Sequence, residues 1–413
     1  LRWSPINFCP PENETLPCPV PVGATLPWHP APPEVQLPAA RVDGATAVIG
    51  QTYLYAGGSD GQAAVATTYV SHAVGNGNLD TWSEGPALPE PRSDAATVVV
   101  GSTLYLLGGY GPDGAPTTTA YSITVDNDGM LGEWKAEDGL ALPEPRAGGS
   151  AVAISDGVVV MGGTDGTAPT RSVWKSQNDA AGALGAWVAQ QPLYEENVDG
   201  VAMHVGDIVF VIGGRNLSGE PVTTVQQGLV GGGPNATAED PNVIDAWRAS
   251  EQTNLPVPRT DASGFSANGA IYVQGGADAS GLKSETWWAT PDAEGVIAEW
   301  NNLPELDLGE GVKGSGAVTS GSHAFIIGGE TTGGPTAGIA RANLAPQEPF
   351  FQLGVLGATI PGLKLDGEVG QQIGYLNAAT VGAVNFIALL LVGWGFAHKD
   401  RVREIVAKVR RKG

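Results

Sequence analysis

Short apolar runs recur along the first 344 residues, each bounded by glycine, proline or aspartate. Runs of about 4–8 residues rich in β-branched and aromatic side chains predict strands. Six of them end alike: TYLYAGG, TLYLLGG, VVVMGG, IVFVIGG, IYVQGG and AFIIGG. The pairs stand at Gly57-Gly58, Gly108-Gly109, Gly162-Gly163, Gly213-Gly214, Gly275-Gly276 and Gly328-Gly329. A tryptophan precedes each pair by 26 to 29 residues: Trp28, Trp82, Trp134, Trp187, Trp247 and Trp300. The period is about 52 residues, longer in the fourth unit. Two markers in register six times over indicate a repeat architecture.

Each unit reads as four strands. The first follows an LPxPR stretch, as at residues 88–92, and the second ends at Gly-Gly. The third is rich in Thr, Val and Tyr, as in TTTAYSITV. The fourth begins near the tryptophan, after a turn such as DNDGMLGEW. Alternating apolar positions bury both faces of a small sheet between its neighbours, as in a propeller blade. Trp28 has no unit before it, and the last unit, about 312–344, has no marker tryptophan at the repeat spacing after it. The strand around Trp28 is therefore expected to complete the last blade. The fold class expected is all-β: a six-bladed propeller with no open edge, plus one C-terminal helix. Chain entry and exit then share the face of the third-to-fourth strand turns.

The unit resembles the kelch repeat, also found in the central domain of galactose oxidase. The residues that carry the resemblance are the LPxPR stretch, the Gly-Gly pair and the downstream tryptophan, over about residues 24–344. LYEENVD (193–199) and LDLGEGVKG (306–314) lack the Pro-Arg. The copper chemistry of galactose oxidase needs a cysteine-linked tyrosine within the propeller. Both cysteines here precede the first blade, so that activity is not carried over.

Composition fits this picture. Glycine is high at 60 residues and proline at 31, with 15% charged residues, which suits many short strands and tight turns. The formal net charge is −22. The last fifteen residues carry seven basic and two acidic groups, leaving −27 on the rest. Such a body repels nucleic-acid phosphates. Cys9 and Cys18 lie in a Pro-rich arm (1–23). A metal or redox pair and a small disulfide are the alternatives; the disulfide in an oxidising compartment is expected, because no histidine lies nearby. The Ala/Gly-rich composition leans to a bacterial source. The chain begins at Leu1, compatible with a signal peptide or an anchor ahead of it.

Residues 373–397, IGYLNAATVGAVNFIALLLVGWGFA, carry no charge and are long enough to span about 30 Å as a helix. The basic tail 398–413 follows, so the tail is expected in the cytoplasm and the propeller outside it, in the periplasm or at the cell surface. Gly374, Ala378, Gly382 and Asn385 fall on one helix face. Small residues permit close helix packing and Asn hydrogen-bonds across it, so transmembrane helices of other proteins are the expected partners. The segment between, 345–372, contains the apolar stretch FFQLGVLGATIPGLKL (350–365), read as interfacial, partner-packing or a flap on the propeller.

No catalytic residues, no cofactor and no metal site are expected from the sequence. The five histidines are scattered, and no P-loop, GxSxG or HExxH occurs. DNDG at 126–129 reads as a turn, not a calcium loop. One constellation recurs where the first strand begins: Arg41/Asp43, Arg92/Asp94 and Arg259/Asp261. Arg146 faces Gly148 in that pattern, and Asp199 faces Asn197. First strands line the channel. These residues are thus either a ligand-binding ring at its mouth, suited to a carboxylate or sugar acid, or inter-blade Arg–Asp struts. Glu195, Glu196, Asn197, Lys313, Arg215 and Glu330 break the repeat. The expected function is a non-enzymatic accessory or scaffold subunit of a membrane complex. The alternatives are a tethered carbohydrate-binding or mutarotase-like propeller and a cell-surface adhesion module.

Overall fold

The computed structural model describes residues 23–75, 78–179, 182–231, 233–238, 240–344, 353–355 and 358–360. The chain divides into two units, Gly23–Ala345 and a second made of Leu1–Val22 with Pro346–Gly413. In the second, the described part is an antiparallel hairpin, Leu353–Val355 with Ala358–Ile360. The segment 373–397, its small-residue face, the Cys9 and Cys18 pair and the basic tail lie outside the described residues. No helix among the described residues is long and apolar enough to cross a membrane.

The first unit is built of six antiparallel blade sheets, with two small hairpins, Ala277–Asp278 with Gly281–Leu282 and Glu330–Thr331 with Gly334–Pro335, beside them. The first strands of the blades are Ala45–Ile49, Ala96–Val100, Ser150–Ile154, Val201–Val205, Ser263–Ala267 and Gly316–Ser320. Each lies against the first strands of both neighbours, and the circuit returns from Gly316–Ser320 to Ala45–Ile49. That closes a ring of six blades. The first strands alternate, with Ala45, Ala47 and Ile49 buried and Thr46 and Val48 half-buried. Five of the second strands, Gly157–Met161 and Ile208–Ile212 among them, are buried at every residue, which explains their apolar runs; in blade two, Thr103 and Tyr105 are half-buried.

The sixth blade takes its outer strand from the start of the chain. His29 pairs with Arg341 and Pro30 with Ala340 in Ile339–Asn343. Leu26 N donates to Asn343 O at 2.7 Å, so entry and exit lie side by side. They share the face of the third-to-fourth turns, opposite the face where the first strands begin. The fifth blade has three strands, and a bridge between Trp288 and Asn301 stands in place of its fourth.

The cores sit between blades. Ala47, Leu54, Leu104, Leu106, Tyr121 and Ile123 pack blade one on blade two around Trp134. The marker tryptophans also tie blades polar-wise. Trp134 Nε1 donates to Thr68 Oγ1 of the preceding blade at 3.0 Å, and Trp28 Nε1 donates to Thr286 Oγ1 at 3.2 Å. Gly-Gly is the other joint. Gly58 N donates to Arg92 O of the next blade at 2.8 Å, and a Cβ on Gly57 would stand 2.3 Å from that oxygen. Both glycines hold positive φ, 66° and 84°, so no other residue fits here without strain.

Candidate functional site

The channel mouth is formed where the six first strands begin. Six backbone hydrogen bonds close a ring around it, each linking one blade to the next. Asp43 N donates to Gly314 O at 2.8 Å, Asp94 N to Asp43 O at 2.8 Å, and Gly148 N to Asp94 O at 3.0 Å. Asp199 N donates to Gly148 O at 2.9 Å, Asp261 N to Asp199 O at 3.0 Å, and Gly314 N to Asp261 O at 2.8 Å. All six residues hold φ between 52° and 60°. Asp is one of the few non-glycine residues that tolerates this region. The geometry therefore favours Gly, Asp or Asn at this position, and the sequence alternates two aspartates with one glycine around the ring.

The four aspartates line a cavity of about 150 Å³ together with glycines, alanines and Ser315. The two glycines sit opposite each other and give the carboxylates room. A Cβ on Gly148 would stand 2.2 Å from Asp199 Oδ1 and 3.2 Å from Asp94 Oδ2. Burial raises Asp43 well above the ordinary carboxylate range, and the Asp94 and Asp261 charges add to it. Burial and the Asp261 charge push Asp94 up to about 7, against the opposing pull of Arg215.

The arginines of the same repeat are placed differently. Arg41, Arg92, Arg146 and Arg259 are buried inside their blades. Arg92 donates to Thr117 Oγ1 at 2.8 Å and to Tyr121 OH at 3.2 Å, and pairs with Glu90 at 3.3 Å. Arg146 lies 4.6 Å from the Trp174 ring centroid and pairs with Glu144 at 3.0 Å. Arg259 pairs with Glu285 at 3.0 Å, and Arg41 donates to Thr67 Oγ1 at 3.1 Å. The structure thus brings Asp43, Asp94, Asp199 and Asp261 together and turns the four arginines away, each as a strut to the third strand of its own blade or to the residue just before it.

The mouth has a second tier. The residues that follow each Gly-Gly are Ser59, Tyr110, Thr164, Arg215, Ala277 and Glu330. Each bridges the residue just before a ring position: Val42, Ser93, Ala147, Val198, Thr260 and Lys313. No two of these six side chains are alike, whereas the ring below holds only Asp and Gly. Arg215 pairs with Asp199 and, at 3.4 Å, with Asp261. Lys313 pairs with Glu330 at 3.2 Å. Arg215 was legible only as a departure from the repeat; its reach to two carboxylates depends on the next blade. Of the other departures, Asn197 is buried, and its Nδ2 donates to Gly213 O at 2.6 Å. Glu195 and Glu196 join no ion pair among the described residues.

The groups that line this mouth are carboxylates, backbone amides and hydroxyls, with Arg215 and Lys313 above them. No group of three or more His, Cys, Asp or Glu among the described residues is arranged to hold a metal ion. DNDG is a turn: Asp126 Oδ1 accepts the amides of Asp128 and Met130, both at 2.9 Å.

No family model matches the chain. It is 27% identical over 244 residues to the kelch repeat protein M-T8 of Myxoma virus, covering 58% of this chain and 42% of that protein. It is 23% identical over 257 residues to beta-scruin of Limulus polyphemus, covering 60% of this chain and 26% of that protein. The chain thus spans less than half the length of these curated relatives. Among solved structures, that of YjhT superimposes with a TM-score of 0.56 at 15% identity, covering 75% of this chain and 96% of that one. Ring closure, repeat markers and these likenesses agree: residues of the first unit form a six-bladed β-propeller of kelch repeats.

Proposed function

We propose that the chain is a non-enzymatic scaffold or accessory subunit of a membrane protein complex, held outside the cytoplasm by the segment 373–397. One observation carries this reading. The chain enters and leaves the propeller side by side, with Thr25 bridged to Leu344, on the face away from the mouth. The mouth face therefore carries neither end of the propeller chain, and it is the face on which a partner would dock. The uncharged run 373–397 and the basic tail after it support the anchor. The mouth itself favours scaffolding over sugar conversion. Its volume of about 150 Å³ is small beside the roughly 300–1,000 Å³ of ordinary ligand pockets.

Purification of the full chain from native membranes in mild detergent tests this. A membrane protein recovered in constant stoichiometry is expected, with recovery reduced at least several-fold in Asn385→Leu. A monodisperse chain free of other proteins overturns the reading.

A further inference from the structure

The outermost strand of a blade carries unpaired backbone groups, and natural sheets blunt such edges with charge, proline or short length. Five outer edges here follow that rule. Blade one ends in Asn78–Leu79 and Ser83–Glu84, blade two in Lys135–Ala136, and blade six in His29–Pro30. Blade four has a longer strand, Ile244–Ala249, but it holds Asp245 and Arg248. Blade five has only the Trp288–Asn301 bridge.

Blade three breaks the rule. Its outer strand is Leu184–Ala189, sequence LGAWVA, six residues with neither charge nor proline. Val188 is 58% exposed, and Ala186 and Ala189 are exposed as well. Trp187 is half-buried, whereas the other five marker tryptophans are only 8–9% exposed. The inner side is paired: Val188 lies opposite Lys175, and Gln190 N donates to Val173 O at 2.8 Å. Antiparallel alternation then turns the N–H and C=O of Trp187 and Ala189 outward. Among the described residues nothing pairs with that side.

We propose that this edge takes up an extended segment of a partner protein as a fifth strand, the partner strand being apolar in alternate positions and basic at its ends. Charge decides between occupants. A second copy would bring a like body of −27 against the first, whereas basic flanks complement it. Main-chain bonds to Trp187 and Ala189 supply affinity, and the apolar side chains rest beside Ala186 and Val188. The inference rests on the scaffold reading and names the contact through which it works.

The test uses the full chain in mild detergent and a synthetic peptide of alternating valine and threonine with lysines at both ends. A peptide with a central proline serves as control. Hydrogen exchange is expected to slow at least tenfold at the Trp187 and Ala189 amides with the first peptide only. Val188→Lys and Ala186→Lys, both at exposed positions, are expected to abolish that protection while the thermal midpoint stays unchanged. Protection elsewhere, no protection, or protection that grows with chain concentration in the absence of peptide overturns the proposal. Recovery of the native membrane partner separates the two readings. Undiminished recovery with Val188→Lys sinks the edge contact and leaves the scaffold standing. Peptide binding at the edge without any native partner sinks the scaffold and leaves the edge.

Discussion

Asp94 holds φ at 55°, is half-buried, and faces the Asp261 carboxylate across the mouth. Its folded-state value near 7 stands against 3.8 for an unperturbed Asp. The folded chain therefore keeps this proton to higher pH than the unfolded chain does. Stability from this group is greatest in mild acid, falls as pH rises from about 4 to about 7, and then levels off. Asp43 is shifted in the same direction, for the same first cause, burial. Asp94→Asn keeps a residue that tolerates positive φ and removes the charge. It is expected to raise the thermal midpoint at pH 8 by about 2–4 °C and to flatten the profile between pH 4 and 7. Thermal scans across that range check it. Gly57 is the opposite case, where a side chain is excluded. Gly57→Ala sets a Cβ against Arg92 O and is expected to cost about 2–4 kcal/mol in denaturant unfolding.

At the scale of elements, the strands were legible because burial writes itself as pattern: alternation in first strands, unbroken apolar runs in second strands. The Gly-Gly and tryptophan markers were legible as period, but not their reasons. The partner of Gly58 is the Arg92 carbonyl of the next blade, and no local pattern contains it. The mouth shows the same limit. The R-x-D spacing placed both residues at the start of a first strand. The positive φ of the aspartate is what sends the two side chains apart, one to the axis and one into the blade. The long turn of blade four, between the strands Val225–Val230 and Ile244–Ala249, is another element whose sequence said little. Its Asp240 shares the buried Lys175 of blade three with Asp156, and its Asn242 donates to Ser155 Oγ at 2.9 Å. Lys175→Met leaves two partly exposed carboxylates without their cation, at a cost of about 1–3 kcal/mol. Faster exchange at residues 233–238 is the expected local sign.

For the whole molecule, the decisive joint is the seam in blade six, where the two ends of the propeller chain meet. Trp28→Ala removes the Thr286 bond and a buried indole, a loss of about 3–5 kcal/mol. Exchange at Ile339–Asn343 is expected to quicken before that of the other third strands; uniform quickening would show that the seam is not the weak joint. The seam also has a mechanical character. Thr25 and Leu344 are neighbours, and the paired stretch between His29–Pro30 and Ile339–Asn343 begins beside them. A pull that separates the two ends therefore loads these hydrogen bonds one after another, as in peeling, and not all together, as in shear. Tension across the ends would undo the ring from this corner at low force while the other five blades still held their shape.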